Sequence, residues 1–219
     1  MNEDGLVKAI ESLRGDVSET RKNQQPHIYI RVDVRDSTSV NRWIGCTVEQ
    51  LGRLDGAVNF AGVAKKVNVI DETDESWAVQ MDVNAKGIVF CIRVQLKHTE
   101  KGEGIVSAAS VNGQVGWEPL GSYCASKHAI IGLSRCAAKE SPHIRVNCIA
   151  PGQSYTQPSP GLAPCRLPRI HGSLILIARQ AQKSECDPLE VANVIAFLLG
   201  DEASFITGAV WNVDDGYNC

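Results

Sequence analysis

The 219-residue chain has no apolar run long enough to cross a bilayer. Its first residues carry neither the basic start nor the apolar stretch of a secretory leader. It has no excess of basic residues either: the formal net charge is −3, which gives no electrostatic footing for nucleic acid or an anionic membrane surface. Eight cysteines (Cys46, Cys91, Cys124, Cys136, Cys148, Cys165, Cys186 and Cys219) are scattered with no Cys-x-x-Cys pair, and the five histidines are equally dispersed. No metal site is therefore expected. The cysteines read as small core hydrophobes in a reducing, cytoplasmic compartment. There is no internal repeat. What is present is ordinary for a soluble globular protein, 43% hydrophobic and 21% charged residues. The length suits one domain over 1–219 with a sizeable core.

Hydrophobic periodicity organises the chain. Leu6, Ile10 and Leu13 predict a helix over 4–14. Residues 27–34 alternate and are rich in β-branched side chains, which predicts a strand. Asp36-Ser37-Thr38 opens a helix with the stripe Val40, Ile44, Val48 and Leu51, and Gly52 ends it. Short apolar strands are expected at 56–60, 105–107, 144–149 and 209–213, and helices over 74–97 and 122–139. Asp187-Pro188-Leu189-Glu190 is a helix start with an acidic cap, and Gly200 its end. Strands alternating with helices predict an α/β fold, a parallel sheet with helices on both faces. The proline-rich stretch 157–183, within a loop or lid over 153–186, stands apart in composition.

The chemistry concentrates between Ser110 and Lys127. On a helix, Tyr123 and Lys127 are four residues apart and share a face. A phenol normally ionises near ~10, and an adjacent ammonium favours the phenolate, which suits the pair to proton transfer near neutral pH. A surface pair on an amphipathic helix is the bland alternative. Ser110 follows a strand and could polarise a substrate carbonyl, or merely cap a loop. Asn84 is a polar amide in an apolar helix; it could serve chemistry or satisfy a helix kink.

Taken in order, these residues resemble the short-chain dehydrogenases/reductases of the Tyr-x-x-x-Lys type. Asn84, Ser110, Tyr123 and Lys127 match that family's catalytic tetrad. Asp33-Val34 resembles its adenine-contacting Asp, and Asn59-Phe60-Ala61-Gly62 its Asn-Asn-Ala-Gly turn. Arg93 falls where members often carry a basic cofactor contact. Pro151-Gly152 with Thr156 resembles the turn over the nicotinamide, and 201–208 with Asn212-Val213-Asp214 the C-terminal signature. The resemblance implies a Rossmann-like doubly wound sheet, NADP or NAD as cofactor, a carbonyl or alcohol substrate, and a homodimer or homotetramer. It implies Ser110 as carbonyl polariser, Tyr123 as proton donor or acceptor, Lys127 as the group lowering the tyrosine pKa and holding the ribose, and Asn84 as a water anchor. Cofactor contacts are implied for Asp33, Asn59, Arg93, Tyr123, Lys127 and Thr156. The ending resembles filamentous-fungal members that serve secondary metabolism.

Four features depart from the pattern. The Thr-Gly-x-x-x-Gly-x-Gly turn that cradles a pyrophosphate does not occur; Gly5 and Gly15 stand alone. The expectation is an N-terminally truncated fold whose first βαβ unit, at least ~30 residues, is missing. The 27–34 strand would then be unpaired or forced against the 55–60 strand, an exposed-edge hazard. Phe60 and Asp215 replace a usual Asn and Gly, and Ser154 a usual apolar residue. Trp117, Glu118 and Tyr155 are pocket candidates by position. The leading functional expectation is an NAD(P)-dependent oxidoreductase acting on a secondary alcohol or ketone. A catalytically inactive relative acting through oligomer contacts is the alternative, and a redox-neutral reaction such as dehydration a third.

Overall fold

The computed structural model describes residues 27–152, 180–182 and 186–219. The predicted helix over 4–14 and nearly all of the expected lid lie outside them. The first helix, α1 (Ser37–Leu51), begins where Asp36 accepts a hydrogen bond from Thr38 N and ends at Gly52, whose φ of 89° suits a residue without a Cβ. Strand β1 (Leu54–Asn59) follows, then α2 (Asp74–Met81), a π-helical turn (Asp82–Lys86) and α3 (Gly87–His98). Strand β2 (Thr99–Ala108), α4 (Gly121–Glu140), β3 (Arg145–Pro151), α5 (Pro188–Leu199) and β4 (Val210–Val213) complete the order. The expected helix over 74–97 is thus two α-helices joined by a π-turn, and the predicted capping box at Asp187 and Glu190 is formed.

The strands make one parallel sheet in the order β1-β2-β3-β4. A parallel strand must cross over a helix before it returns, so both faces become covered. Ile105, Val146 and Cys148 face Ile88, Ile92 and Ile130 of α3 and α4. Val106 and Ile149 face Val191 and Leu198 of α5. Ile105, Val106, Val146 and Ile149 are fully shielded, each worth roughly 1.5–3 kcal/mol of transfer free energy. This is the α/β architecture expected.

Residues 27–33 correct the sequence reading. They alternate in exposure as a strand would, yet join no ladder among the described residues. Hydrogen-bonding neighbours make a strand, and none of the described strands pairs with this segment. A cavity of about 340 Å³ separates Ile28 and Ile30 from Leu54, Gly56 and Val58 of β1. Of the two expected outcomes, the unpaired one is observed among the described residues.

Candidate active site

Two glycines allow the site to close. A Cβ on Gly113 would lie 2.9 Å from the Lys127 carbonyl oxygen, so the turn after β2 can approach α4 only as glycine. A Cβ on Gly62 would lie 3.3 Å from Asn84 Oδ1 and 3.5 Å from Lys127 Nζ. The loop after β1, the π-turn and α4 therefore converge on one point beyond the carboxyl ends of the strands, where open α/β sheets bind ligands.

Asn84 occupies the π-turn and is fully buried. Its Oδ1 accepts from Val63 N at 2.8 Å, and its Nδ2 donates to Val63 O at 2.8 Å and to Ser126 Oγ at 2.9 Å. The inserted residue of a π-turn re-aims the helix; here it aims an amide at a strand-end loop. Ser126 Oγ in turn donates to Tyr123 O at 2.7 Å. Lys127 Nζ donates to Ala108 O at 2.7 Å and stands 5.6 Å from the centre of the Tyr123 ring. Ser110 ends β2's extension and accepts from Asn112 N at 3.2 Å.

Electrostatics follow burial. The Lys127 ammonium is shielded, and desolvation lowers its pKa to about 8. Burial pushes the Tyr123 phenol above its ordinary value, and the Ser110 hydroxyl pulls the other way. The spacing argument foresaw a downward shift from Lys127; in the folded chain desolvation is the larger effect on the phenol.

The structure brings Asn84, Ser110, Tyr123 and Lys127 together and leaves three other candidates elsewhere. The Asn59 amide is buried in a reciprocal pair with Gln95 (2.9 and 2.8 Å) and also meets Ser107, so it ties β1 to α3 and β2. Arg93 is exposed on α3 with its guanidinium 5.1 Å from the Phe90 ring centre. Asp33 is exposed and gripped by Arg35, Nη2 to Oδ2 at 2.6 Å, which holds its carboxyl down at about 2. Its neighbour Val34 packs on Gly87, one turn past Asn84. Trp117 meets Tyr217 edge-on at 6.2 Å. Thr156, Tyr155 and Ser154 lie outside the described residues. Sequence reasoning missed Ser126 and Gln95; the signal for Ser126 was its i, i+4 spacing from Ser122, a polar row on an otherwise apolar helix face.

The family model described as enoyl-(acyl carrier protein) reductase matches residues 5–218. The chain belongs to the short-chain dehydrogenase/reductase family. It is 36% identical over 202 residues to the short-chain dehydrogenase/reductase ABA4 of Pyricularia oryzae, covering 85% of this chain and 71% of that one. It is 35% identical over 190 residues to meso-2,3-butanediol dehydrogenase of Serratia marcescens, covering 85% and 73%. Among solved structures it resembles a blue fluorescent protein from a metagenomic library in complex with NADPH, at a TM-score of 0.77 and 25% identity, covering 86% and 74%. Among the described residues of this family member no helix is long and apolar enough to cross a membrane.

Proposed function

We propose that the chain is an NAD(P)-dependent oxidoreductase that interconverts a secondary alcohol and a ketone. The observation that carries this is the convergence of Ser110, Tyr123 and Lys127 beside a glycine whose absent side chain leaves room against Asn84 and Lys127. The residues present fit the nicotinamide–ribose end of such a cofactor. Lys127 spends one donor on Ala108 O and retains two for ribose hydroxyls. A nicotinamide cofactor supplies the hydride chemistry when bound. The chain's own residues do the rest. Ser110 donates to the substrate oxygen and polarises the carbonyl. Tyr123 hands its phenolic proton to that oxygen on reduction and takes it back on oxidation. Lys127 supports the phenolate by its charge, and Asn84 holds the π-turn and the Val63 loop against α4. The cofactor in this reading is NADP or NAD.

The butanediol dehydrogenase likeness supports a secondary-alcohol substrate, and the C-terminal Asn-Val-Asp-Asp-Gly-Tyr-Asn-Cys, which resembles filamentous-fungal members, supports a place in secondary metabolism. A homodimer or homotetramer is part of the same reading. A second reading, a relative that acts by association rather than catalysis, draws on the 27–33 segment and the β1 edge, neither of which pairs further among the described residues. Fluorescence titration of the purified chain with NADH and NADPH, followed by turnover of secondary alcohols, separates them. Binding with turnover supports the enzyme. Neither binding nor turnover favours the second reading.

A further inference from the structure

One turn before Ser126, on the same face of α4, lies a second buried polar chain. Lys65 N, in the loop after β1, donates to Gln80 Oε1 at 3.0 Å. Gln80 Nε2 donates to Ser122 Oγ. Ser122 Oγ donates to Glu72 Oε2 at 2.6 Å. Gln80 and Ser122 are 1% and 2% exposed, so water cannot replace these partners without opening the fold. The chain joins three separate elements: the Lys65 loop, the turn that ends at Glu72, and α2, all meeting the first turn of α4.

The location gives the chain its meaning. Helix α4 begins after Leu120, which offers no side-chain cap. Four N–H groups at a helix start lack intrahelical partners, and an uncapped start frays. Tyr123 sits in that first turn. Two tethers on one face of α4 hold it: Ser126, fastened to Asn84, binds the Tyr123 carbonyl, and Ser122, one turn earlier, is fastened to Gln80 and Glu72. The Glu72 carboxylate lies at the positive end of the α4 dipole. The Ser122 hydroxyl holds it below the usual carboxylate range. Proton transfer depends steeply on placement, so a fraying first turn would show in the rate.

We propose that Glu72, Ser122 and Gln80 are positioning residues that set the Tyr123 phenol against Ser110 and Lys127. The proposal rests on the oxidoreductase reading for its effect on rate, but not for its effect on the phenol itself.

The test uses the purified 219-residue protein with Ser122→Ala, Ser122→Thr, Glu72→Leu and Glu72→Gln. Two readouts are taken: kcat and KM with an alcohol the parent oxidises, and the phenolate titration of Tyr123, isolated by subtracting the same variant carrying Tyr123→Phe. Ser122→Ala is expected to lower kcat on the order of tenfold with KM within about twofold. Its phenolate midpoint should drop toward the ~10 of a solvated phenol as the turn loosens. Ser122→Thr and Glu72→Gln, which keep the hydroxyl and the acceptor, should restore both. A Ser122→Ala protein that melts earlier but keeps the parent's kcat and phenolate midpoint overturns the proposal. If Ser122→Ala does not fold, Glu72→Leu against Glu72→Gln carries the same comparison with the same two outcomes. If the parent itself turns over nothing, the oxidoreductase reading fails, and the phenolate midpoint alone decides: moved, the brace stands; unmoved, it falls.

Discussion

The side chain of Asn84 pairs with the backbone of Val63 as one strand pairs with another, Oδ1 accepting from N and Nδ2 donating to O, both at 2.8 Å. One amide thereby closes the loop after β1 onto the π-turn and fixes the distance between Gly62 and Lys127. Removing it leaves two part-buried backbone groups of Val63 without this partner, each loss costing about 1–3 kcal/mol. Asn84→Ala is expected to destabilise the fold by roughly 2–4 kcal/mol, read from urea unfolding midpoints. A loss under about 1 kcal/mol would mean that water takes over the amide's role.

Arg145 predicts a second stability effect. From β3 its guanidinium reaches the carbonyl oxygens of Leu198, Leu199, Gly200 and Ala203, at 2.6–3.2 Å, and Gly102 at 3.4 Å. A cation at a helix C-terminus opposes the dipole and satisfies carbonyls that lack intrahelical partners. Arg145→Met should cost about 2–4 kcal/mol, and hydrogen exchange should quicken first around the end of α5. Exchange rising evenly over the chain would contradict the capping role.

Lys127 predicts a pH dependence. Burial holds it at about 8 in the folded chain, against ~10.4 for a solvated lysine. Between those values the unfolded chain binds more protons, so stability rises with pH across that window and Lys127 adds no slope below it. Lys127→Met should flatten that rise in unfolding free energies measured from neutral to alkaline pH. The reductive rate should fall as pH climbs through about 8, where Lys127 sheds its charge. A rate flat to well above that value would remove Lys127's charge from the account.

Cysteine reactivity checks the packing. Burial pushes the thiols of Cys91 and Cys148 up to about 11, so little thiolate forms at mildly alkaline pH. Cys136 and Cys219 are exposed. Alkylation followed by peptide mapping should label Cys136 and Cys219 in the folded protein, and Cys91 and Cys148 only after denaturation. Early labelling of Cys148 would place β3 at a surface.

Local signals were legible where the cause is local. Asp36 and Gly52 bound α1, and Asp187 with Glu190 begins α5, because caps act within a few residues. The Ser110–Lys127 arrangement was legible because one helix and one strand end fix it. The 27–34 segment misled because strand alternation states which face is apolar but not whether a neighbour exists. The pairing of Asn59 with Gln95, thirty-six residues later, was not legible, because it joins a strand to a distant helix. Arg93 points to solvent because the phase of α3 is set by the buried Ile88, Cys91 and Ile92. The Glu72–Ser122–Gln80 chain left only a faint trace, polar residues four apart on α2 and α4. Asp215 does adopt a φ of 56° where the family pattern has glycine, a conformation Asp tolerates better than most residues.

The most direct test of the oxidoreductase reading is hydride transfer itself. The purified chain is incubated with NADPH or NADH deuterated at the transferring carbon and a panel of ketones, and the alcohol product is examined by mass spectrometry, in parallel with Tyr123→Phe. The account predicts deuterium on the carbinol carbon with the parent protein and essentially none with Tyr123→Phe. Deuterium transferred equally by both would contradict the role given to Tyr123, and none from either would contradict the oxidoreductase reading.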